Sequence, residues 1–168
     1  ADIMTREFQV VRETATLLEA MEHLLDCPLV EDEIGIKCVV VLDKEKRLTG
    51  VLTQSDVVGE ILFPYFVRDL ANQPKDKCTS IRGQDYAKLA VWAAKVKVRD
   101  VMSRAPVTIR PDADLFEAAD MIVSQKVKSL PVLDEGKVLG IVYRSSLYRV
   151  MAEAILGAAP QPGGHGAK

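Results

Sequence analysis

Two stretches of this chain are copies of one another, and that restricts the fold more than any other feature. Asp2-Ile3-Met4-Thr5-Arg6 reappears 98 residues later as Asp100-Val101-Met102-Ser103-Arg104. At the same offset Arg12 matches Arg110, Ala15 matches Ala113, and Leu17, Glu19 and Ala20 match Leu115, Glu117 and Ala118. The offset falls to 91 where Val41-Leu42-Asp43 meets Val132-Leu133-Asp134. It falls again to 90 where Leu48-Thr49-Gly50-Val51-Leu52 meets Val138-Leu139-Gly140-Ile141-Val142. The first copy therefore carries about seven extra residues within 28–37 and one more in a turn. Three matching blocks in the same order make two copies of one unit, at residues 1–62 and 98–156, separated by a bridge at 63–97 and followed by a tail at 157–168.

Each copy has the same local grammar. Val107-Thr108-Ile109 favours a strand, and Asp114 with Glu117 three residues on reads as a capping box that opens a helix. Leu115, Ala118, Ala119, Ile122 and Val123 then form an apolar stripe at helical spacing. In the first copy Thr16 and Glu19 are the cap, and Leu17, Ala20, Met21, Leu24 and Leu25 the stripe. Strands follow at 38–42 and 130–133, then polar turns, then returning strands at 48–53 and 138–143. Short helices at 55–62 and 145–154 close the copies, so each unit reads β-α-β-β-α. A unit of this size buries its own sheet face poorly, and two copies predict sheets packed against each other about a pseudo-two-fold axis.

The bridge, at 35 residues, is too long for a bare connection and must contain structure. Pro64 starts a new turn or helix, and 72–77 reads as loop. A helix is expected over 85–96 with Tyr86, Leu89, Trp92, Ala93 and Val96 on one side, a stripe that packs on the core or covers a partner. The tail, rich in Gly, Pro and Ala, is expected to be a flexible end in which His165 has no role.

Composition excludes several classes. With 24 acidic and 22 basic side chains the formal charge is −2, and no basic concentration marks a nucleic-acid surface. Val39-Val40-Val41-Leu42 is far short of the roughly 18 apolar residues of a membrane span, and the opening Ala1-Asp2-Ile3-Met4-Thr5-Arg6 lacks a signal-peptide pattern. Cys27, Cys38 and Cys78 stand at no metal-ligand spacing and are expected as free thiols in a reducing compartment; His23 and His165 add no cluster. Glu31-Asp32-Glu33 reads as a solvated loop. There is no catalytic constellation and no glycine-rich phosphate fingerprint of the Rossmann or P-loop type.

The family resemblance rests on the entrances Asp2-Ile3-Met4-Thr5 and Asp100-Val101-Met102-Ser103, on Leu130-Pro131-Val132-Leu133-Asp134 before a hairpin, and on Gly50-Val51-Leu52-Thr53-Gln54-Ser55-Asp56 with its twin Gly140-Ile141-Val142-Tyr143-Arg144-Ser145-Ser146. With these the chain resembles a pair of cystathionine-β-synthase-type (CBS) domains forming one Bateman module. The resemblance implies an α/β (α+β) fold of two β-α-β-β-α CBS units with an extended helical bridge. It also implies a cytoplasmic, non-enzymatic regulatory module with no catalytic cofactor. Family breadth would admit nucleic-acid binding, but the spread of lysines argues against it, and the residues predict no metal and no membrane partner. Its cleft would take an adenosyl ligand, namely AMP, ADP, ATP or S-adenosylmethionine. The resulting change would pass to an effector protein or a domain outside this chain, and a homodimer is expected. The alternative is a structural dimerisation scaffold without a small-molecule ligand.

The same resemblance assigns Thr53 to phosphate and Asp56 to the ribose hydroxyls. Their chemistry agrees: a hydroxyl at a strand end, a carboxylate at a helix start and free helical N–H groups converge, and a carboxylate accepts from both hydroxyls of a diol. Asp56 as a plain cap of its own helix is the competing reading. Val10, Val11, Thr108 and Ile109 are expected to wall the adenine pocket. Lys128-Ser129 stands at the position that turns a basic group toward phosphate, with Ser129 where a histidine or arginine is commoner. Lys126 and Lys128 together suit a polyphosphate or simply a helix end. Arg144 offers a bidentate phosphate fork or is a solvated arginine. In the second copy Tyr143 replaces Thr53 and Ser146 replaces Asp56, so one occupied cleft per chain is expected.

Overall fold

A computed structural model describes residues 3–26, 38–59 and 83–158. The expectations for the 28–37 insertion, Cys27, Cys78, Ile61, Leu62, Pro64 and His165 lie outside the described residues. In chain order the elements are β1 (Met4–Thr5), β2 (Gln9–Arg12), α1 (Leu17–Asp26), β3 (Cys38–Leu42), β4 (Leu48–Thr53) and α2 (Gln54–Val57). From residue 83 onward come α3 (Gly83–Ala93), α4 (Val98–Val101), β5 (Ser103–Arg104), α5 (Leu115–Ser124), β6 (Ser129–Asp134), β7 (Lys137–Tyr143) and α6 (Arg144–Ala158).

Local chemistry opens α1 with the full capping box that the spacing predicts and α5 with its N-cap half. Thr16 Oγ1 accepts the Glu19 N–H at 3.2 Å while the Glu19 carboxylate accepts the Thr16 N–H at 2.7 Å. That backbone bond is the main reason the Glu19 carboxyl titrates below its ordinary range. Asp114 accepts the Glu117 N–H at 2.8 Å. Leu17, Ala20 and Leu24 of α1 then bury against Val39, Val41 and Leu52, and Ala118 and Ile122 of α5 against Leu130, Val132 and Val142. Leu25 and Val123, expected in these stripes, instead face solvent. Each sits at the outer margin of its stripe, where the helix turns away from the sheet.

β3 is buried along Cys38-Val39-Val40-Val41 because both of its faces are covered. Val39 and Val41 meet the helices, whereas Cys38 and Val40 join Ile141 and Tyr143 in a separate core between the two sheets. The sheets have orders β2-β3-β4-β5 and β1-β7-β6. β2 runs parallel to β3 across α1, and β3–β4 and β6–β7 are antiparallel hairpins. At the first hairpin turn the Asp43 carboxylate accepts both the backbone N–H and the Nε of Arg47 at 2.8 Å, which lowers the Asp43 pKa and raises that of Arg47.

The entrance of each copy joins the sheet of the other. β1 pairs with β7 (Met4 opposite Val142) and β5 pairs with β4 (Ser103 opposite Val51). Glycine at two matched strand positions permits this. A Cβ on Gly140 would lie 2.6 Å from the Thr5 carbonyl oxygen, and one on Gly50 2.8 Å from that of Ser103. Met4 and Met102 cover these glycines in the same way, so the exchange obeys the repeat.

Four expectations need correction. Val107-Thr108-Ile109 supplies only a single bridge, Ile109 to Val132, because Pro106 and Pro111 flank it and have no N–H to extend the ladder. The closing helix of the first copy is capped by Thr53 and starts at Gln54, not at Ser55. α6 runs on through Gly157 to Ala158, so these two residues do not belong to a flexible tail. In α3, Leu89 and Ala93 are buried but Tyr86 and Trp92 are exposed, so the aromatic stripe does not pack on this core. The end of the bridge is nevertheless fixed: Leu17 N–H donates to Val96 O at 2.9 Å and Val98 N–H to Ala15 O at 3.0 Å.

Candidate functional site

Thr53 leaves β4 with extended backbone and caps α2. Its N–H and Oγ1 both donate to Asp56 Oδ2, at 2.7 and 2.6 Å, and its Oγ1 accepts the Asp56 N–H at 3.3 Å. Asp56 is thus a capping residue in this state, as the competing reading held, and both side chains are half-buried. The other carboxylate oxygen, Oδ1, accepts from Ser103 Oγ at 3.0 Å. Ser103 belongs to β5, the entrance of the second copy.

The second copy also supplies a cation. Lys128 Nζ donates to Ser55 Oγ at 3.2 Å, spanning the two copies. The Lys128 carbonyl accepts the Arg144 N–H at 3.0 Å, and Ser129 pairs with Tyr143 across β6–β7. Side-chain hydrogen bonds thus join Thr53, Asp56 and Ser103 and, beside them, Ser55 and Lys128, whereas Ser129 and Arg144 adjoin Lys128 through the backbone. Chemically the cluster offers a carboxylate, three hydroxyls and an ammonium at one seam.

Val10, Val11, Thr108 and Ile109, the expected adenine walls, do not share the hydrogen-bond network of Thr53, Asp56 and Lys128. Val11 is in the helix-side core of the first copy and Ile109 in that of the second, so neither side chain faces the seam. Val10 stays partly open and lines, with Val11, a depression of about 540 Å³ along the outer edge of β2. Ile109 lines another of about 340 Å³ beside Arg6 and Asp114. Neither depression includes Thr53, Asp56 or Lys128, and Thr108 is only half-buried.

The second motif copy is closed. Tyr143, at the Thr53 position, is buried in the core between the sheets, and Ser146, at the Asp56 position, is 3% exposed. Ser145, the counterpart of Ser55, has an enclosed Oγ with no hydrogen-bond partner among the described residues. Arg144 beside them is exposed. Ser55 and Ser103 were missed by sequence reasoning. The pointer to Ser103 was Gly50: a glycine inside a strand marks a close backbone neighbour, and that neighbour carries the hydroxyl.

Fold and site together define a doubled α/β module with one open polar seam between its copies. The CBS domain family profile matches residues 1–62 and 98–153. The chain belongs to the CBS domain family, as a tandem pair. It is 33% identical over 120 residues to uncharacterised protein MJ1426 of Methanocaldococcus jannaschii, covering 66% of this chain and 70% of that one. It spans about half (48%) of another relative, uncharacterised protein MK0525 of Methanopyrus kandleri, at 25% identity and over 70% of this chain. Among solved structures, the CBS domain of a CBS domain containing membrane protein from Sphaerobacter thermophilus superposes with a TM-score of 0.66 at 28% identity, over 88% of this chain and 84% of that one. The cytosolic domain of the Mg2+ channel MgtE, in complex with ATP, gives a TM-score of 0.56 at 26% identity over 88% of this chain and 46% of that one. CBSX2 in complex with AMP shares the fold, with a TM-score of 0.61 at 23% identity over 92% and 96% of the two chains. No helix among the described residues is long and apolar enough to cross a membrane.

Proposed function

We propose that this CBS pair is a regulatory module that senses an adenosyl ligand, AMP, ADP, ATP or S-adenosylmethionine, at the seam between its units, and that it catalyses nothing itself. The observation that carries this reading is the convergence on one seam of Thr53, Ser55 and Asp56 from the first unit with Lys128 from the second. Asp56 is the acceptor for the ribose diol, and Lys128 and Thr53 face the phosphates. ATP and AMP in the MgtE and CBSX2 crystals support an adenine nucleotide as the ligand class. Because the cation and the carboxylate come from different units, a bound nucleotide ties the units together, and the change passes to an effector or to a domain outside this chain. With Tyr143 and Ser146 buried, one cleft per chain is used.

The test is titration of nucleotide-free protein with adenosine, AMP, ADP and ATP, with Lys128→Ala alongside. Loss of one charge-assisted phosphate contact is expected to weaken the nucleotides by about tenfold and to leave adenosine unchanged. An equal loss for adenosine and the nucleotides would remove Lys128 from the phosphate site.

Homodimerisation belongs to the same reading. α5 and α6 leave Phe116, Val123, Tyr148 and Ile155 exposed, each at 66% or more, an apolar surface that isolated monomers seldom present. Phe116→Glu combined with Tyr148→Glu is expected to weaken the dimer by about 100-fold or more, since buried aromatic anchors contribute about 2 kcal/mol or more each. Light scattering across a dilution series reads this, and an unaltered dimer would move the interface elsewhere. The second reading, a dimerisation scaffold with an empty cleft, is favoured by one observation: Asp56 is already engaged by Thr53 and Ser103.

A further inference from the structure

The Asp56 carboxylate has fewer acceptor positions left than a ribose diol needs. Two carboxylate oxygens offer about four lone-pair sites. Oδ2 uses two, for the Thr53 N–H and Oγ1–H, and Oδ1 uses one, for Ser103 Oγ. One site remains, and a diol that donates both hydroxyls requires two. One existing bond must yield.

The three bonds are not equally easy to give up. Those from Thr53 are short and hold the first turn of α2, so losing them uncaps the helix. The bond from Ser103 is the longest of the three at 3.0 Å, is exposed, and holds no helix end. It also joins segments 47 residues apart, because Ser103 lies at the start of the second unit.

We infer that Ser103 is the internal competitor of the ligand at Asp56, so that a ribose diol displaces its hydroxyl and thereby releases β5. This rests on the adenosyl reading of the seam and adds how occupancy leaves the site. β5 consists only of Ser103–Arg104, paired with Gly50 and Val51. It follows α4, which starts the second unit directly after the bridge. Loss of the Ser103 bond therefore alters the junction that links bridge, first sheet and second unit, without any large movement at Asp56. A ligand with a single ribose hydroxyl fits the one remaining acceptor site and leaves Ser103 in place.

The test compares AMP with its 2′-deoxy and 3′-deoxy forms by calorimetric titration of the full chain, as wild type, Ser103→Ala and Ser103→Thr. In Ser103→Ala, AMP is expected to bind about three- to tenfold more tightly, the scale of one hydrogen bond no longer competed away. The deoxy forms should shift by less than about twofold. Ser103→Thr keeps the hydroxyl and should keep the wild-type ratio of AMP to deoxy affinity. An unchanged ratio in Ser103→Ala, or weaker AMP binding, overturns the assignment. If the wild type binds AMP in an Asp56-dependent way while the ratio stays fixed, only the role of Ser103 falls. If the wild type binds none of the three, the adenosyl reading falls and takes this one with it.

Discussion

Replacing Asp56 with Ala is expected to lower adenosyl-ligand affinity by about 100-fold or more. Two hydroxyl donors of a ribose would lose a charged acceptor, and each such bond contributes about 1.5–3 kcal/mol. The variant also loses part of the α2 cap, because Asp56 Oδ2 accepts the Thr53 N–H and Oγ1–H. That loss is about 1 kcal/mol of stability, by analogy with cap deletions. Thermal unfolding measured beside titration separates the two effects: binding falls by far more than stability does. Asp56→Asn keeps an acceptor oxygen and should fall between wild type and Ala. If Asp56→Ala binds as wild type does, the carboxylate serves only its helix.

Gly140→Val is expected to destabilise the chain strongly while leaving the seam untouched. A Cβ there would lie 2.4 Å from Met4 Cγ and 2.6 Å from the Thr5 carbonyl oxygen. Met4 can swing its flexible side chain away, but the carbonyl moves only if β1 leaves β7. Overpacking of this kind costs about 1–3 kcal/mol, which in a chain of this size lowers Tm by about 2–12 °C. The matched change Gly50→Val meets the Ser103 carbonyl at 2.8 Å and should displace β5 in the same way. Because β5 carries Ser103, Gly50→Val acts on Asp56 as well as on stability, whereas Gly140→Val acts on stability alone. A Tm for Gly140→Val within 1 °C of wild type (a change of well under ~1 kcal/mol) would mean that β1 is not seated on β7.

The repeat made most of the fold legible. Offsets, caps and alternating patterns place α1, β3, β4, α5, β6 and β7 because each signal is local: a Thr16–Glu19 box, an apolar stripe, a valine run. The exchange of entrances was not legible, since Met4-Thr5 and Ser103-Arg104 look alike and nothing local says which sheet each joins. Gly50 and Gly140 hold that information only through what approaches them in space. The site divides along the same line. Thr53 and Asp56 are three residues apart and their mutual bonding follows from helix geometry. Lys128 was readable from its place before β6, but its partner Ser55 is 73 residues away. Val11 and Ile109 show the limit for the expected pocket walls: strand alternation turns their side chains into the helix-side cores, and sequence alone does not say which face of a doubly covered strand lines a cleft.

The measurement that bears most directly on the central claim is calorimetric titration of folded, nucleotide-free protein with AMP, ADP, ATP and S-adenosylmethionine, with Asp56→Ala beside it. Micromolar binding of at least one compound, lost in the variant while its dimer persists, is the expected result. No heat from any of the four, and no competition among them, would contradict the sensor and leave the dimerisation scaffold as the account of this chain.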